Sequence, residues 1–255
     1  MKRSHESAQE ATEHEDTPKD EAIQKAEPQE YEVVETQLTK RPDQRNIVVV
    51  VVDHSGSTRI NDRIRKINNG LQVLTEELRS DERLADETEV AVVRCGGDAE
   101  VAVDFTRATQ FTPPNLSPGA STPLGEAVNL SLDLILGRYR DLRADNVHTR
   151  SPFLYVLSDG NATDDEAVVR KASRRIRRLA GEEQFLNPFA IGPSDANFMT
   201  LNRFMEGSPN NPLEMESADY ADVMKWASKS IRIRSVPETD RERTPNPSDH
   251  GLKMV

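Results

Sequence analysis

Residues 47–53 read Ile-Val-Val-Val-Val-Val-Asp, and no other stretch constrains the fold as strongly. A short β-branched run without alternation has no polar side to turn to water, so it calls for a central strand covered on both faces. Helices must then exist to cover it. The run ends abruptly in a carboxylate, and Asp53 is followed by Ser55, Gly56 and Ser57, residues that suit a tight turn. Carboxylate and hydroxyl oxygens gathered where a strand leaves a sheet suit a hard cation, Mg²⁺ or Mn²⁺.

The rest of the chain supplies the covering elements. Ile64, Ile67, Leu71, Leu74 and Leu78 recur at steps of three and four, one apolar face of a helix. Val90–Val93 and an alternating Val101, Val103, Phe105 flank Gly96-Gly97, which predicts a hairpin whose second strand is an antiparallel edge. A proline-containing loop over 107–121 leads to a helix from about Pro123, with Leu124, Ala127, Val128, Leu134 and Ile135 inward. Phe153–Leu157 is a second fully apolar strand, ending in Ser158-Asp159-Gly160. A basic helix over 164–180, a strand over 185–191, a helix over 198–205, a weak strand over 213–215 and a helix over 220–231 follow. Alternation of this kind predicts an α/β fold, doubly wound and Rossmann-like, with a mostly parallel sheet and helices on both faces. In such sheets ligands sit beyond the carboxyl ends of the central strands, so Asp53 and Asp159 are expected to meet.

Composition sets the limits. At 255 residues one large domain fits, yet the apolar fraction is only 35%. The deficit lies at the ends. Residues 1–44 carry twelve acidic against six basic side chains, over half of the net charge of −11, and predict a disordered N-terminal tail. Residues 236–255, with three prolines and mixed charges, are expected to be a C-terminal tail, leaving 45–235 as the domain. The acidic balance argues against a nucleic-acid partner, which needs a basic footprint. A single cysteine, Cys95, excludes an internal disulfide and thiolate metal clusters and is expected in the core. No segment approaches the roughly 18 apolar residues of a membrane span, and the N-terminus lacks the apolar stretch of a signal peptide. Cytoplasmic residence without a membrane partner is the expectation.

Three separated pieces carry the candidate chemistry: Asp53-His54-Ser55-Gly56-Ser57, Ser121-Thr122-Pro123-Leu124-Gly125-Glu126 and Leu157-Ser158-Asp159-Gly160. Together they resemble the von Willebrand factor type A domain and its metal-ion-dependent adhesion site. Asp53, Ser55 and Ser57 match that family's Asp-x-Ser-x-Ser signature, Thr122 its ligand threonine, and Asp159 its second aspartate. The resemblance implies a divalent ion held by the hydroxyls of Ser55, Ser57 and Thr122, with Asp53 and Asp159 holding it directly or through water. One open position would then accept a carboxylate from a protein partner. No general base or nucleophile belongs to that ligand set.

Within the family the chain is similar to the bacterial TerY-like branch, associated with tellurite resistance and stress response. The likeness lies in Asn68-Asn69-Gly70-Leu71, in Thr-Pro-Leu-Gly-Glu-Ala from Thr122, and in Asp-Gly-Asn-Ala-Thr-Asp-Asp from Asp159. That branch implies an intracellular adaptor beside a protein kinase and a metal-dependent phosphatase. Departures are His54 in the variable slot, Ala120-Ser121 for a common Gly-Gly, Ser158 for a common Thr and Ala162 for a common Pro.

Other readings stay open. Asp53, Ser55 and Asp159-Gly160 also suit ordinary turns, Ser57 and Thr122 suit helix caps, and Thr163 with Glu166 suits a capping box. His54 sits among hard oxygen donors, so no ligand or catalytic role is expected of it. Lys171, Arg174, Arg175, Arg177 and Arg178 form a basic helix face, either solvated or a docking patch for an acidic partner. An enzyme of haloacid dehalogenase type would use Asp53 as a phosphoryl acceptor. It would also want an acid where Ser55 stands and a lysine closer to Asp159 than Lys171. A chaperone-like partner of an AAA+ ATPase is a third reading. The leading expectation is a non-enzymatic binding module.

Overall fold

Ile47–Val52 is buried throughout, and its alternate side chains feed two separate cores. That is the physical consequence of an apolar run with two-residue periodicity: each face of the pleat needs its own cover. The computed structural model describes residues 43–217, 219–235 and 245–255. The strands are β1 (Gln44–Asp53), β2 (Thr88–Cys95), β3 (Ala99–Arg107), β4 (His148–Thr149), β5 (Phe153–Leu157), β6 (Asn187–Pro193), β7 (Leu213–Met215) and β8 (Leu252–Met254). The helices are α1 (Arg63–Arg79), α2 (Glu82–Glu87), α3 (Leu124–Ala144), α4 (Glu166–Ile176), α5 (Phe198–Met205) and α6 (Tyr220–Ser235).

Val48, Val50 and Val52 pack with Ile67, Leu71, Leu74 and Leu78 of α1 and with Val223, Trp226 and Ile231 of α6. Ile47, Val49 and Val51 pack with Leu124, Val128, Leu132 and Ile135 of α3, Ala172 and Ile176 of α4, and Leu201 and Phe204 of α5. The sheet order is β3-β2-β1-β5-β6-β7-β8, with β4 paired to the start of β1. The neighbours of β1 in the sheet are parallel to it, and β3 is the antiparallel edge that the hairpin pattern predicts. The chain runs from β1 to β2 on one side and returns through α3 to β5 on the other. The winding therefore reverses between β1 and β5, and a crevice opens at their carboxyl ends. Their register pairs Val52 with Leu157, which sets Asp53 level with Ser158.

The C-terminal expectation needs correction. Leu252–Met254 is an ordered second antiparallel edge on β7, anchored by a buried Leu252. Trp226 Nε1 donates to the Pro245 carbonyl at 3.0 Å, closing this segment over α6. A three-residue strand with one apolar anchor is too short to leave a periodic trace, which is why the composition reads as a tail. The N-terminal tail expectation, apart from Asp43 and Gln44, and residues 236–244 lie outside the described residues. Gln44 opens β1 rather than closing a tail. The basic helix ends earlier than its periodicity predicts: α4 stops at Ile176 and continues as a π turn over Arg177–Glu182. Cys95 is buried at the end of β2, and burial pushes its thiol far above the usual range.

Candidate metal centre

Asp53 closes β1, and its two oxygens are used differently. Oδ1 accepts the Ser55 backbone N–H at 2.9 Å, the ordinary turn that Asp and Ser favour. Oδ2 accepts the Ser158 hydroxyl across the crevice at 2.7 Å. Asp159 repeats the division: Oδ1 accepts the Asn161 N–H at 3.0 Å, and Oδ2 accepts the Ser57 hydroxyl at 2.6 Å. Ser57 has spent its one hydroxyl proton on Asp159, so Ser55 Oγ donates to Ser57 Oγ at 3.1 Å. Hydrogen bonds thus run without a gap from Ser158 through Asp53, Ser55 and Ser57 to Asp159. Four of the five sequence-predicted ligands stand in this one series of residues, linked through hydroxyl and carboxylate oxygens and the Ser55 backbone N–H.

Thr122, the fifth, stands on the adjoining loop. Its N–H donates to Thr163 Oγ1 at 3.1 Å, and its carbonyl accepts the Thr163 N–H at 2.9 Å. Its hydroxyl makes no hydrogen bond among the described residues. The helix-cap role that Thr122-Pro123 suggests is not taken up, because Pro123 holds the cap position of α3 without a side-chain bond. Asp164 caps that helix instead, its carboxylate accepting the N–H groups of Gly125 and Glu126 at 2.9 Å each. Ser57 caps no helix either; it lies in a 3₁₀ segment over Gly56–Asp62 that the periodicity of α1 does not announce.

Backbone bonds join the three loops. Gly119 N–H donates to the His54 carbonyl at 2.6 Å and Gly56 N–H to the Ala120 carbonyl at 3.1 Å. His54 works as a wedge in this junction. It is buried, with Nδ1 2.7 Å from the Ser117 carbonyl and Nε2 3.4 Å from Arg94 Nη1. A carbonyl can only accept, so Nδ1 carries the proton and Nε2 receives the arginine. Gly96 and Gly119 leave room for the ring: a Cβ on Gly96 would lie 2.6 Å from it, and one on Gly119 would lie 2.4 Å from the Gly96 carbonyl oxygen. Asn68 and Arg79 of α1 fasten the same loop, through the Leu116 backbone and through the carbonyls of Ala108 and Phe111. Asn68 is one of the residues on which the branch-level likeness rests, and holding this loop is its visible work.

Electrostatics leave the centre short of positive charge. Asp53 and Asp159 are buried, and among the described residues no lysine or arginine pairs with Asp53. Burial raises the Asp53 carboxyl above its ordinary range, opposed by the hydrogen bonds from Ser158 and Ser55, while the nearby Asp159 charge adds to the rise. Arg63, the first residue of α1, brings Nη1 to 3.8 Å from Asp159 Oδ2. Its Nη2 donates to both oxygens of Asp195 at 3.0 Å. The donor set consists of two carboxylates and neutral hydroxyls, hard ligands of the kind Mg²⁺ and Mn²⁺ take, so these residues fit the ion that the resemblance implies.

Sequence reading passed over Ser158 as a donor to Asp53, Asp164 as the cap of α3, and Arg63. Ser158 had a signal, since it directly precedes Asp159. Arg63 had none, because its acidic partners are far along the chain. The basic face of α4 is divided: Arg175 bonds Asp133 and Asn129 of α3, whereas Arg174 and Arg177 have no ion pair among the described residues.

No protein-family model matches the sequence, and no curated protein is similar to it. Solved structures are similar in fold. A von Willebrand factor type A protein from Catenulispora acidiphila aligns over 74% of this chain and 43% of its own, at 16% identity and a TM-score of 0.55. The ArnB paralog VWA2 from Sulfolobus acidocaldarius aligns over 74% and 46%, at 15% identity and 0.50. The conserved hypothetical protein BatB from Bacteroides thetaiotaomicron aligns over 74% and 98%, at 16% identity and 0.50. The matched region is thus under half the length of the first two proteins and nearly all of the third. At these identities the likeness is one of fold alone, and the chain has the von Willebrand factor type A fold.

Proposed function

We propose that this chain is a non-enzymatic interaction module that grips an acidic residue of a protein partner through a divalent cation, Mg²⁺ in the first place and Mn²⁺ as its substitute. The observation that carries the reading is the pair of buried carboxylates joined through Ser55 and Ser57, with Asp53 lacking any cationic partner among the described residues. Asp53, Ser55, Ser57, Thr122 and Asp159 would hold the ion. When bound there, it supplies an electrophilic open position for a carboxylate oxygen, because neutral hydroxyls quench little of its charge. The unspent hydroxyl of Thr122 is available for that set. Ile60 and Met199 are exposed large apolar side chains in the segments that follow Ser57 and Asn197, and the Asn197 N–H bonds the Asp159 carbonyl. They offer apolar contact to whatever brings the carboxylate.

The finer assignment is a TerY-like stress-response or signalling adaptor in the cytoplasm, working with a kinase and phosphatase pair. Its support is the three segments beginning at Asn68, Thr122 and Asp159. Phosphotransfer is disfavoured by the serine at position 55, whose hydroxyl faces Ser57 rather than supplying a second acid. The test is calorimetric titration of the purified protein with Mg²⁺ and Mn²⁺. Asp53→Ala or Asp159→Ala should weaken binding at least tenfold, about 1.4 kcal/mol. Equal affinity in both variants and the parent would defeat the proposal.

A further inference from the structure

Arg63 does no work that the donors above require, yet its guanidinium is the cation that pairs with Asp159 among the described residues. We propose that Arg63 is a resident counter-charge of the candidate cation site, which offsets Asp159 and thereby sets how tightly the site takes a divalent ion. The inference rests on the metal-binding reading and adds a regulator to that site. Arg63 is only 11% exposed, so it is not a solvated surface arginine. Its guanidinium is held between two acids at unequal distance. Nη2 bonds both oxygens of Asp195 at 3.0 Å, while Nη1 stays 3.8 Å from Asp159 Oδ2, outside hydrogen-bond range. Asp195 thus draws the arginine back from Asp159, and Asp195 itself is well exposed.

Like charges at a shared carboxylate repel strongly where water is largely excluded. An incoming dication must therefore work against Arg63 or displace it. Room exists for displacement: Arg63 lines a cavity of about 410 Å³ together with Asn61, Lys66, Asp195, Asp219 and Tyr220. Asp195 and Asp219 give the withdrawn guanidinium acidic company there. The two aspartates then have opposite effects on the site. Asp159 is a ligand that Arg63 screens, and Asp195 is the tether that limits the screening.

The experiment titrates the full chain with Mg²⁺ and with Mn²⁺ at low ionic strength, in the parent, Arg63→Gln and Asp195→Asn, with melting in a chelator as the check of folding. Arg63→Gln should tighten binding at least fivefold. Asp195→Asn, which frees the guanidinium to close on Asp159, should weaken it at least threefold. Opposite signs are the signature, and the Asp195 variant keeps the question open to refutation if the Arg63 variant does not fold. Unchanged affinity in the folded variants, or weaker binding in Arg63→Gln, overturns the role of Arg63 and leaves the metal site standing. Uptake by Arg63→Gln alone supports the role. No uptake of either ion by parent or variants at millimolar concentration overturns both this inference and the reading beneath it.

Discussion

Asp53 concentrates the tension of the site. It is buried, close enough to Asp159 to feel its charge, and held by hydroxyl and amide donors with no cationic partner among the described residues. Hydrogen bonds to a carboxylate lower its pKa, yet desolvation wins and the carboxyl is displaced upward. A neutral isostere should relieve this, since asparagine Oδ1 can accept the Ser55 N–H while its Nδ2 donates to the Ser158 hydroxyl. Asp53→Asn is expected to stabilise the chelator-treated protein by on the order of 1 kcal/mol while abolishing its response to Mg²⁺. Thermal melts with and without Mg²⁺ check both halves, and a destabilised, still responsive variant would contradict them. Thr122 makes the complementary point. In the chain, threonine before proline reads as a helix cap, but Asp164 arrives from the loop after β5 and takes that duty. The hydroxyl is left unspent because a long-range contact replaced a local one.

At the scale of elements, the loop between β3 and α3 decides whether Thr122 meets the other donors. It contains no regular structure, so its shape depends on what holds it: Asn68 and Arg79 from α1, and His54 from the end of β1. The close approach of Gly119 to Gly96 is the tightest point of this junction. Gly119→Ala should push the loop outward, cost about 2–3 kcal/mol in overfilled packing, and weaken metal binding through displacement of Thr122. Denaturant unfolding and calorimetry together test this; a variant normal in both would show that the loop adapts freely. The proline and glycine content announces a loop but says nothing of its anchors. Helix faces were legible for the opposite reason. Leu71, Leu74 and Leu78 recur with the helical period and all face the core in α1, since burial is the only satisfactory place for such a stripe.

For the molecule as a whole, the proposed ion site would link binding to folding, because the unfolded chain cannot assemble donors more than a hundred residues apart. Mg²⁺ at a hundred times its dissociation constant should stabilise the domain by about 2.7 kcal/mol, a melting shift of about 5–10 °C. The Asp159→Ala protein should show no such shift, and an equal shift in both would assign the effect to nonspecific ions. The sequence by itself determined the doubly wound class, since a run of six apolar residues with covering helices has few other solutions, and it determined which residues could donate oxygen. Tertiary structure alone decided the rest: that Asp53 and Asp159 are bridged through two serines, that Asp164 releases Thr122, that Arg63 stands between two acids, and that residues 252–254 complete the sheet. Periodicity reports what a residue needs from its surroundings, whereas a pairing between distant segments exists only once the chain has closed on itself.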